Sequence, residues 1–520
     1  MDTDKIGAST TAVGPAQHGV LHYARRGEPV EDASSVDSDI IGFDAEKMKG
    51  RSLLTELEEK KLMRRVDWHL MTLCSIMFLL KNIDANNTAN ARIMNKGTKQ
   101  NILIQLDMSS NAYNFITTIY YIPYIVFEAP SNLLIKRILP SRWQSRIMVT
   151  WGIALACHAA VHNKEGLYAA RFFLGLVGFH LCPYDCFTSV RLTTNNVYAL
   201  GNFSTVISGV LAFGFDTISG RCGLSGWQWI FLVEGVITIA FGIALWFILP
   251  DFPNQAKWLT EKEKAFIQAR LPSNAPRAEE LNFNLREIIN SLKDKRMWLF
   301  TLVWATMTVG TTGLTFYQPT VIANLGFTTI AKSQLLNIPT AVLSIIIIAV
   351  SGFFADSAWL PRPVLPLTFL TGILACYSVL YTFPNNGGVY AATVISNALS
   401  SSWYPLMWPW RVQTTSRATG SAFAIGFVNS YGQIGGALGP QIFQSKYAPH
   451  YTVSFAIAMS VIGASILVTL FTWWVTRDTE RQTREIKKAR VAAAKRGESV
   501  LDDVDPNADL KHKEAAVFKE

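Results

Sequence analysis

Two ionisable residues, Lys81 and Asp84, lie three positions apart inside an otherwise apolar stretch. This spacing places both side chains on one face of a helix, so the ammonium and the carboxylate can pair with each other. An ionisable group at the centre of a bilayer costs about 2.5 kcal/mol or more, and it usually marks a substrate or ion pathway. Two interpretations stay open: a permanent structural pair, or an Asp84 carboxyl that takes up a proton and frees Lys81 for an anion.

Arg171 and His180 lie on one predicted helix, about two and a half turns apart. The guanidinium fork matches a carboxylate, so Arg171 is predicted to bind an anionic substrate. The alternative for Arg171 is an ion pair with Asp84 or Glu128 that holds an outer gate closed. Because histidine changes charge near neutral pH, His180 is a candidate for both substrate binding and proton coupling. Its alternative is a buried histidine with satisfied hydrogen bonds.

Uncharged polar and aromatic side chains in other apolar stretches could hold the body of a substrate. Amides and aromatic faces together suit a planar amide or carboxylate. Since 12% of the chain is aromatic, packing or a position at the membrane interface is the alternative for each ring. The candidates are Tyr317, Gln318, Trp403, Tyr404, Asn429 and Gln433.

Acidic and small residues beside basic loops are candidates for gating. Glu128 and Asn132 precede one basic loop, and Gly352 and Asp356 precede a loop that contains Arg362. An aspartate next to a basic loop at a helix end can latch one state of a carrier and release it. We therefore expect these residues to control opening rather than to contact substrate.

The remaining polar and thiol groups predict no further chemistry. The six cysteines include the neighbours Cys182 and Cys186, but no zinc or disulfide spacing is present, so no metal or other cofactor is expected. Glu234 lies in an apolar stretch close to Arg221, and we expect a structural role near the outer surface. No catalytic nucleophile motif appears, so an integral-membrane enzyme is disfavoured.

The elements that position these groups are predicted to be membrane-spanning helices. Only 16% of the 520 residues are charged, against about a quarter in soluble proteins, and 50% are apolar. A helix needs about 20 mostly apolar residues to cross the hydrocarbon core. About twelve such runs occur, so the expected fold class is an all-α integral membrane protein. The runs are approximately 68–90, 112–135, 145–162, 166–189, 199–219, 229–249, 297–318, 335–355, 363–382, 388–408, 420–442 and 452–475.

Polar segments divide these runs into two sets of six. We expect a cytoplasmic N-terminal tail (1–66), a first six-helix bundle (67–250), a cytoplasmic linker (251–296), a second six-helix bundle (297–476) and a cytoplasmic C-terminal tail (477–520). Both tails are placed in the cytoplasm because most Lys and Arg residues of the short loops would then be internal. The basic residues that give the net charge of +9 border the predicted helices, where they can contact anionic lipid of the bilayer. No nucleic-acid partner is therefore expected.

Several local patterns refine this organisation. Thr55 with Glu58, and Thr260 with Glu263, have the spacing of capping boxes that begin helices, and residues 484–496 predict a basic helix.

A GxxxxGK[ST] phosphate loop is absent, which argues against transport driven by ATP. Two bundles joined by a long linker are instead typical of a secondary carrier that alternates access to a central small-molecule site.

Several motifs resemble one transporter family. They are Phe127-Glu128-Ala129-Pro130-Ser131-Asn132-Leu133-Leu134, then Gly226-Trp227-Gln228-Trp229-Ile230-Phe231, and Gly439-Pro440-Gln441-Ile442-Phe443. Over roughly residues 60–480 the chain resembles the fungal anion:cation symporters of the major facilitator superfamily, which include allantoate, nicotinate and pantothenate permeases. The resemblance implies the major facilitator fold and proton-coupled uptake of a small organic anion or amide. It also implies a plasma-membrane protein that is monomeric in function.

The sequence departs from this family where a substrate would bind. The fourth run has Gly178, Phe179 and His180 where the family usually has Glu-Ala-Gly, and the first run lacks the family's Asp-Arg pair because Ala85 follows Asp84. These departures leave a second hypothesis open, an exporter of a fungal secondary metabolite. A third is a nutrient receptor that does not transport.

Overall fold

The chain is almost entirely helical in the computed structural model. The structure describes residues 23–25, 53–134, 140–178, 191–249, 256, 258–270, 285–327, 329–413, 418–448 and 450–500. Two short strands, β1 (Tyr23–Arg25) and β2 (Glu498–Val500), pair antiparallel. Because β1 belongs to the N-terminal segment and β2 to the C-terminal segment, these two segments lie together on one face of the described molecule. This face is called the tail side, and the opposite face the far side.

A short polar helix, α1 (Glu56–Val66), precedes the first long helix. It begins at the predicted capping box, which is confirmed: the Thr55 hydroxyl accepts a hydrogen bond from the Glu58 N–H, and the Glu58 carboxylate accepts one from the Thr55 N–H. A π-helical turn, Asp67–Met71, joins α1 to the helix that follows.

Six long helices build the first half of the molecule. The strongest packing within this half joins α5 to α8, α2 to α7, and α4 to α6. Gly152 and Gly235 allow the backbones of α5 and α8 to touch, since a Cβ on either would overlap the other helix. With the short α3, the helices are α2 (Thr72–Ala91), α3 (Ile102–Gln105), α4 (Ser110–Leu134), α5 (Pro140–Cys157), α6 (Lys164–Val177), α7 (Arg191–Thr217) and α8 (Gly226–Ile248); 3₁₀ turns occur at His158–Ala160 and Arg221–Gly223.

The linker between the halves contains α9 (Glu261–Arg270) and α10 (Leu285–Lys293). The predicted capping box at Thr260 is confirmed, because its N–H donates to Glu263 and its hydroxyl accepts from the Glu263 N–H. A small apolar cluster that includes Leu62 of α1 and Phe266 of α9 joins the N-terminal helix to this linker.

The second half repeats the arrangement with a further set of long helices. Helix α11 packs on α17 and α18, while α15 packs on α13 and α14. The last helix continues far beyond the apolar region, so the predicted basic helix over 484–496 is confirmed as its C-terminal part. The helices are α11 (Lys295–Asn324), α12 (Ile330–Ser333), α13 (Ile338–Asp356), α14 (Val364–Thr382), α15 (Asn386–Gln413), α16 (Ala418–Gly432), α17 (Ile434–Ile442) and α18 (Thr452–Arg496); 3₁₀ turns occur at Gln334–Asn337 and Ser445–Tyr447.

Each of the twelve predicted apolar runs falls on a helix of the described chain, the fourth only in part because α6 is described to Val177. By length and hydropathy alone, six described segments are sufficient to cross a membrane. Others fall short because they carry polar groups inward, as α2 does with Lys81 and Asp84. The six are Val197–Thr217, Gly226–Ile248, Lys295–Asn324, Gln334–Ala355, Val364–Thr382 and Thr452–Arg496.

The two halves meet mainly along α4 and α7 of the first half. Helix α4 of the first half packs against α16 and α17 of the second, and α7 packs against α13. Gly436 on α17 faces the ring of Tyr121 on α4 so closely that a Cβ there would overlap it. These contacts leave a central space between the halves.

Candidate functional site

A cavity of about 470 Å³ lies between the two halves. Its charged lining residues, within the described chain, all come from the first half. They are Lys81, Asp84, Glu128 and Arg171. The second half contributes uncharged amides and aromatic rings, among them four of the predicted substrate-binding residues: Gln318, Tyr404, Asn429 and Gln433.

An ion pair joins Asp84 to Arg171 on this wall. Arg171 Nη1 lies 3.5 Å from Asp84 Oδ1, and both residues are at least 95% buried. Phe231 on α8 supports the guanidinium, whose carbon lies 5.2 Å from the ring centroid. Burial strengthens such a pair because water does not screen it.

Asp84 pairs with Arg171, which is an alternative that the sequence left open for Arg171. Lys81 and Asp84 both lie on the cavity face of α2, and α6 brings Arg171 against Asp84. The Lys81 ammonium lies 5.5 Å from the centroid of the Tyr124 ring on α4, and Tyr124 is hydrogen-bonded to Glu128. Lys81 is therefore a second cation of the cavity, held beside an aromatic face one turn from Asp84.

A network of amides and hydroxyls joins α2 to α7 next to this ion pair. Asn86 donates hydrogen bonds to Ser204 and Thr205, while Asn90 donates to Ser208. Sequence reasoning missed these residues, although the amides of α2 recur at helical spacing. The network makes the first-half wall polar well beyond its charged groups.

Glu234 has other neighbours than the expected Arg221, while its structural role stays a prediction. It is 5% exposed, and its Oε2 accepts a hydrogen bond of 2.9 Å from Asn87. The charges that act on it come from Asp84 and Arg171, not from Arg221. The physical reason is that α8 turns this face toward α2 and α6, which the apolar pattern of the helix does not specify.

The second-half wall combines hydrogen-bonding amides with a cluster of rings. Asn397 donates to the Gln318 carbonyl at 2.7 Å, and the Gln318 amide donates to Thr340. The Trp304 ring contacts those of Tyr404 and Trp408, with centroids 5.6 and 6.0 Å apart. Planar groups of a ligand could stack on these rings and hydrogen-bond to the amides.

A buried arginine behind this wall escaped the sequence analysis. Arg411 is 1% exposed, donates to the Asn429 carbonyl at 2.9 Å, and stacks on Trp408 with 4.0 Å between the guanidinium carbon and the ring centroid. The signal in the sequence was a cation directly after the apolar run 388–408. Arg411 fixes the orientation of Asn429, which lines the cavity.

Two predicted substrate-binding residues lie outside the cavity lining. Trp403 is fully buried and packs against Trp304. Tyr317 is also fully buried; its hydroxyl donates to the Phe443 carbonyl and accepts a hydrogen bond of 2.7 Å from Asn114. The rotation of each helix turns these rings into its packing surface, and substrate contact stays a prediction for both.

Tyr317 instead belongs to a set of contacts that closes the far side. Arg92 of the first half stacks on the Tyr317 ring at 4.4 Å and donates to Asn114, so α4 and α11 are tied together. Further out, Lys96 donates to Asn324 across the halves. The structure is therefore a state in which the halves are joined on the far side of the cavity.

The predicted gating residues lie toward the tail side. Some of their side chains are outside the described part of the chain. Glu128 is buried and lines the cavity, and Gly352 is buried near the end of α13. The Arg362 N–H donates to Glu480 on α18 at 3.2 Å. The C-terminal helix thus holds the loop between α13 and α14. His180 and the side chains of Asn132 and Asp356 lie outside the described residues.

Comparison with known proteins identifies the family. The model of the Major Facilitator Superfamily matches residues 86–440. Similar curated proteins include the MFS-type transporter cnsO of Penicillium expansum, 27% identical over 81% of this chain and 85% of that protein. The Major facilitator-type transporter hxnP of Emericella nidulans is 27% identical over 87% and 93%. A putative tartrate transporter of Agrobacterium vitis is 26% identical over 79% and 93%.

Solved structures support the same fold. The proton:xylose symporter XylE aligns with a TM-score of 0.55 at 14% identity, covering 78% of this chain and 95% of XylE. A bacterial homologue of the human lysosomal transporter Spinster, in an inward-facing and unoccupied conformation, aligns with a TM-score of 0.53 at 13% identity, covering 77% and 94%. The chain therefore belongs to the Major Facilitator Superfamily, and it is a multi-pass membrane transporter rather than an enzyme.

Proposed function

We propose that this transporter carries small organic anions together with a proton, as a member of the fungal anion:cation symporters. The observation that carries the proposal is the buried ion pair of Asp84 and Arg171 on the cavity wall. It combines the Arg171 guanidinium, which can bind a substrate carboxylate, with the Asp84 carboxyl, which can bind a proton. A substrate carboxylate competes with Asp84 for the guanidinium, and a proton competes with Arg171 for the Asp84 carboxylate.

The pair supplies a simple coupling mechanism. A proton on Asp84 removes the charge that holds Arg171, so the guanidinium becomes free for a substrate carboxylate. Without a proton, Asp84 keeps Arg171 and excludes the anion. Anion and proton therefore occupy the site together, and the site stays electrically balanced while the halves rock around it.

The rest of the cavity favours a compact, planar anion. Lys81 adds a second positive charge to the first-half wall, while Trp304, Tyr404 and Gln433 offer rings and an amide opposite. The similarity to a putative tartrate transporter agrees with a carboxylate substrate. A heteroaromatic carboxylate could meet Arg171 with its charge and the second half with its ring.

The energetics set what such a carrier can achieve. With one proton per monovalent anion no net charge moves, so the membrane voltage does not contribute. A gradient of one pH unit then supplies about 1.4 kcal/mol, which is about tenfold accumulation. A neutral amide carried with a proton would also gain from the voltage.

We further propose a plasma-membrane location with both tails in the cytoplasm and a monomer as the working unit. The pairing of β1 with β2 agrees with tails on one side. The Lys- and Arg-rich loops favour the cytoplasm for that side. The far side, closed here through Asn114 and Tyr317, would then face the outside of the cell. The proposed division is 1–66 tail, 67–250 bundle, 251–296 linker, 297–476 bundle and 477–520 tail.

Accumulation in proteoliposomes tests the proposal. Purified protein would be reconstituted at neutral internal pH, and radiolabelled nicotinate, pantothenate, allantoate and tartrate would be offered at acidic external pH. We expect about tenfold accumulation of at least one of them per pH unit, lost when a protonophore is added. No accumulation of any carboxylate by folded wild-type protein would refute the proposal.

Export of a secondary metabolite is the second candidate, favoured by the aromatic second-half wall of Trp304, Tyr404 and Trp408. Such a wall could hold a larger aromatic product. The discriminating test is the same vesicle system with an aromatic polyketide acid as probe. Uptake of the probe into vesicles with acidic interiors, with none of the small carboxylates moving, would favour the exporter.

A further inference from the structure

Glu234 is a buried carboxyl behind the Asp84–Arg171 pair. It lies on α8, is 5% exposed and does not line the cavity. Its Oε2 accepts one hydrogen bond, from Asn87, and Oε1 has no donor among the described residues. A buried carboxylate needs a cation or several donors to remain ionised. Glu234 has one hydrogen-bond donor among the described residues, and the nearby Arg171 guanidinium is paired with Asp84.

The charges around Glu234 do not balance if Asp84, Glu234 and Arg171 are ionised while His158 is neutral. The acting charges are Asp84 on α2 and Arg171 on α6. His158, in the 3₁₀ turn that packs on α8, is fully buried and also near Arg171; its Nδ1 lies 2.8 Å from the Ala154 carbonyl. No charged group of the described parts of α5 or α7 acts on Glu234. Two carboxylates would thus share one guanidinium, and one proton restores neutrality.

Hydrogen bonds connect Glu234 to the cavity wall. Asn87 donates to Glu234 and accepts from the Ser208 hydroxyl at 2.9 Å, and Ser208 accepts from Asn90 at 2.8 Å. Ser208 and Asn90 both line the cavity. A change of charge at Glu234 therefore reaches the substrate site in two ways: through this network and through the shared Arg171.

We propose that Glu234 is a second proton-binding site, occupied in the empty carrier near neutral pH, and that its proton must be present for an anion to bind at Arg171. When Glu234 loses this proton at alkaline pH, its charge competes with substrate for the guanidinium. The inference rests on the proposed function, because it assigns a second group to the same anion site. Asp84 then carries the coupled proton, whereas Glu234 sets the alkaline limit of transport.

The pH dependence of anion affinity follows from this assignment. In the neutral range, binding takes up one proton, on Asp84, so the affinity falls about tenfold per pH unit as pH rises. In the alkaline range, where Glu234 is also ionised, binding takes up two protons and the fall steepens to about a hundredfold per pH unit. In a variant without the Glu234 carboxyl, the anion affinity should fall about tenfold per pH unit in both the neutral and the alkaline range.

Calorimetric titration with nicotinate in detergent, from neutral to alkaline pH, tests this slope. Wild type and the surface control Glu165→Gln should show the steep alkaline range. Glu234→Gln, whose amide imitates the protonated acid, should lack the steep alkaline range. Glu234→Asp keeps a carboxyl and should retain it. A Glu234→Gln profile as steep as wild type would overturn the proposal.

Infrared difference spectroscopy of the substrate-free protein separates this inference from the proposed function. Wild type at neutral pH should show a protonated-carboxyl band that is absent in Glu234→Gln and disappears on alkaline titration. In Glu234→Asp this band should shift but remain. An unchanged carboxyl region in Glu234→Gln would refute the proton site, whether or not nicotinate binds. A band without nicotinate, tartrate or pantothenate binding would refute the proposed substrate class alone.

Discussion

Arg171 Nη1 lies 3.5 Å from Asp84 Oδ1, and this ion pair joins α6 to α2 on the wall of the central cavity. Both side chains are about 5% exposed or less, so neither charge is satisfied by bulk water. A carboxylate ligand that binds Arg171 therefore competes with Asp84 for the charge of the guanidinium. The competition between a substrate carboxylate and Asp84 is what links transport to protons in the proposed mechanism.

Replacing Asp84 by Asn should uncouple transport from the pH gradient. Asn lacks the proton-binding group but leaves Arg171 available, so exchange of internal for external substrate should persist. Accumulation driven by one pH unit should fall from about tenfold to about one. Counterflow and gradient-driven uptake in proteoliposomes measure the two activities. Asp107→Asn, at an exposed loop position, is the control, and unchanged accumulation in Asp84→Asn would contradict the assignment.

Removing Arg171 should destabilise the protein through Asp84. Arg171→Ala leaves a buried carboxylate without its cation, which costs about 3–5 kcal/mol. Adding Asp84→Asn should recover more than half of this loss, because the uncompensated charge is then gone. Thermal unfolding in detergent measures both variants. If the double variant unfolds no later than Arg171→Ala, the ion pair is not the source of the loss.

Tyr317→Phe should open the far side. The variant loses the hydroxyl that donates to Phe443 and accepts from Asn114, and leaving buried partners unsatisfied costs about 1–3 kcal/mol. The far-side-open population should rise at least fivefold. Spin labels on two exposed residues, Lys99 in a loop and Lys332 on α12, would report a longer distance. The control is Tyr381→Phe, at a half-exposed ring, and identical distance distributions in both would contradict the gate.

Gly436→Ala should hinder closure of the two halves. A Cβ at this position of α17 overlaps the Tyr121 ring of α4, and such overpacking costs about 1–3 kcal/mol. We expect turnover to fall about tenfold with little change in substrate affinity. Initial rates and binding titrations separate these effects. Gly463→Ala, where no atom lies within 4 Å of the added carbon, should behave as wild type, and equal rates in the two variants would refute the expectation.

Span positions and helix starts were predictable because local patterns determine them. A membrane-spanning segment must satisfy its own backbone hydrogen bonds, so apolar length alone locates a helix such as α8 or α14. The capping boxes at Thr55 and Thr260 are equally local, since their hydrogen bonds involve residues three positions apart.

Partners across helices were not predictable in the same way. Helical spacing correctly placed Lys81 and Asp84 on one face, but the packing of α6 against the first half decides that Arg171 takes Asp84. The rotation of α11 and α15 similarly turns Tyr317 and Trp403 away from the cavity. A single apolar sequence does not specify these rotations.

The Glu234 site left a partial signal in the sequence. Asp84, Asn87 and Asn90 recur every three residues along α2, which is a polar stripe on an otherwise apolar helix. Such a stripe predicts contact with polar groups of neighbouring helices. It does not reveal that Glu234 and Ser208 are those groups, because their positions depend on how α7 and α8 pack against α2.

Direct measurement of proton movement driven by a carboxylate tests the central claim most closely. Proteoliposomes without a pH gradient, held in weakly buffered medium, would receive an inward gradient of nicotinate or tartrate while external pH is recorded. The account predicts alkalinisation of the medium for a transported carboxylate, at one proton per monovalent anion, with no signal for Arg171→Ala or Asp84→Asn. Carboxylate entry without any change in external pH, or alkalinisation that persists in Asp84→Asn, would contradict it.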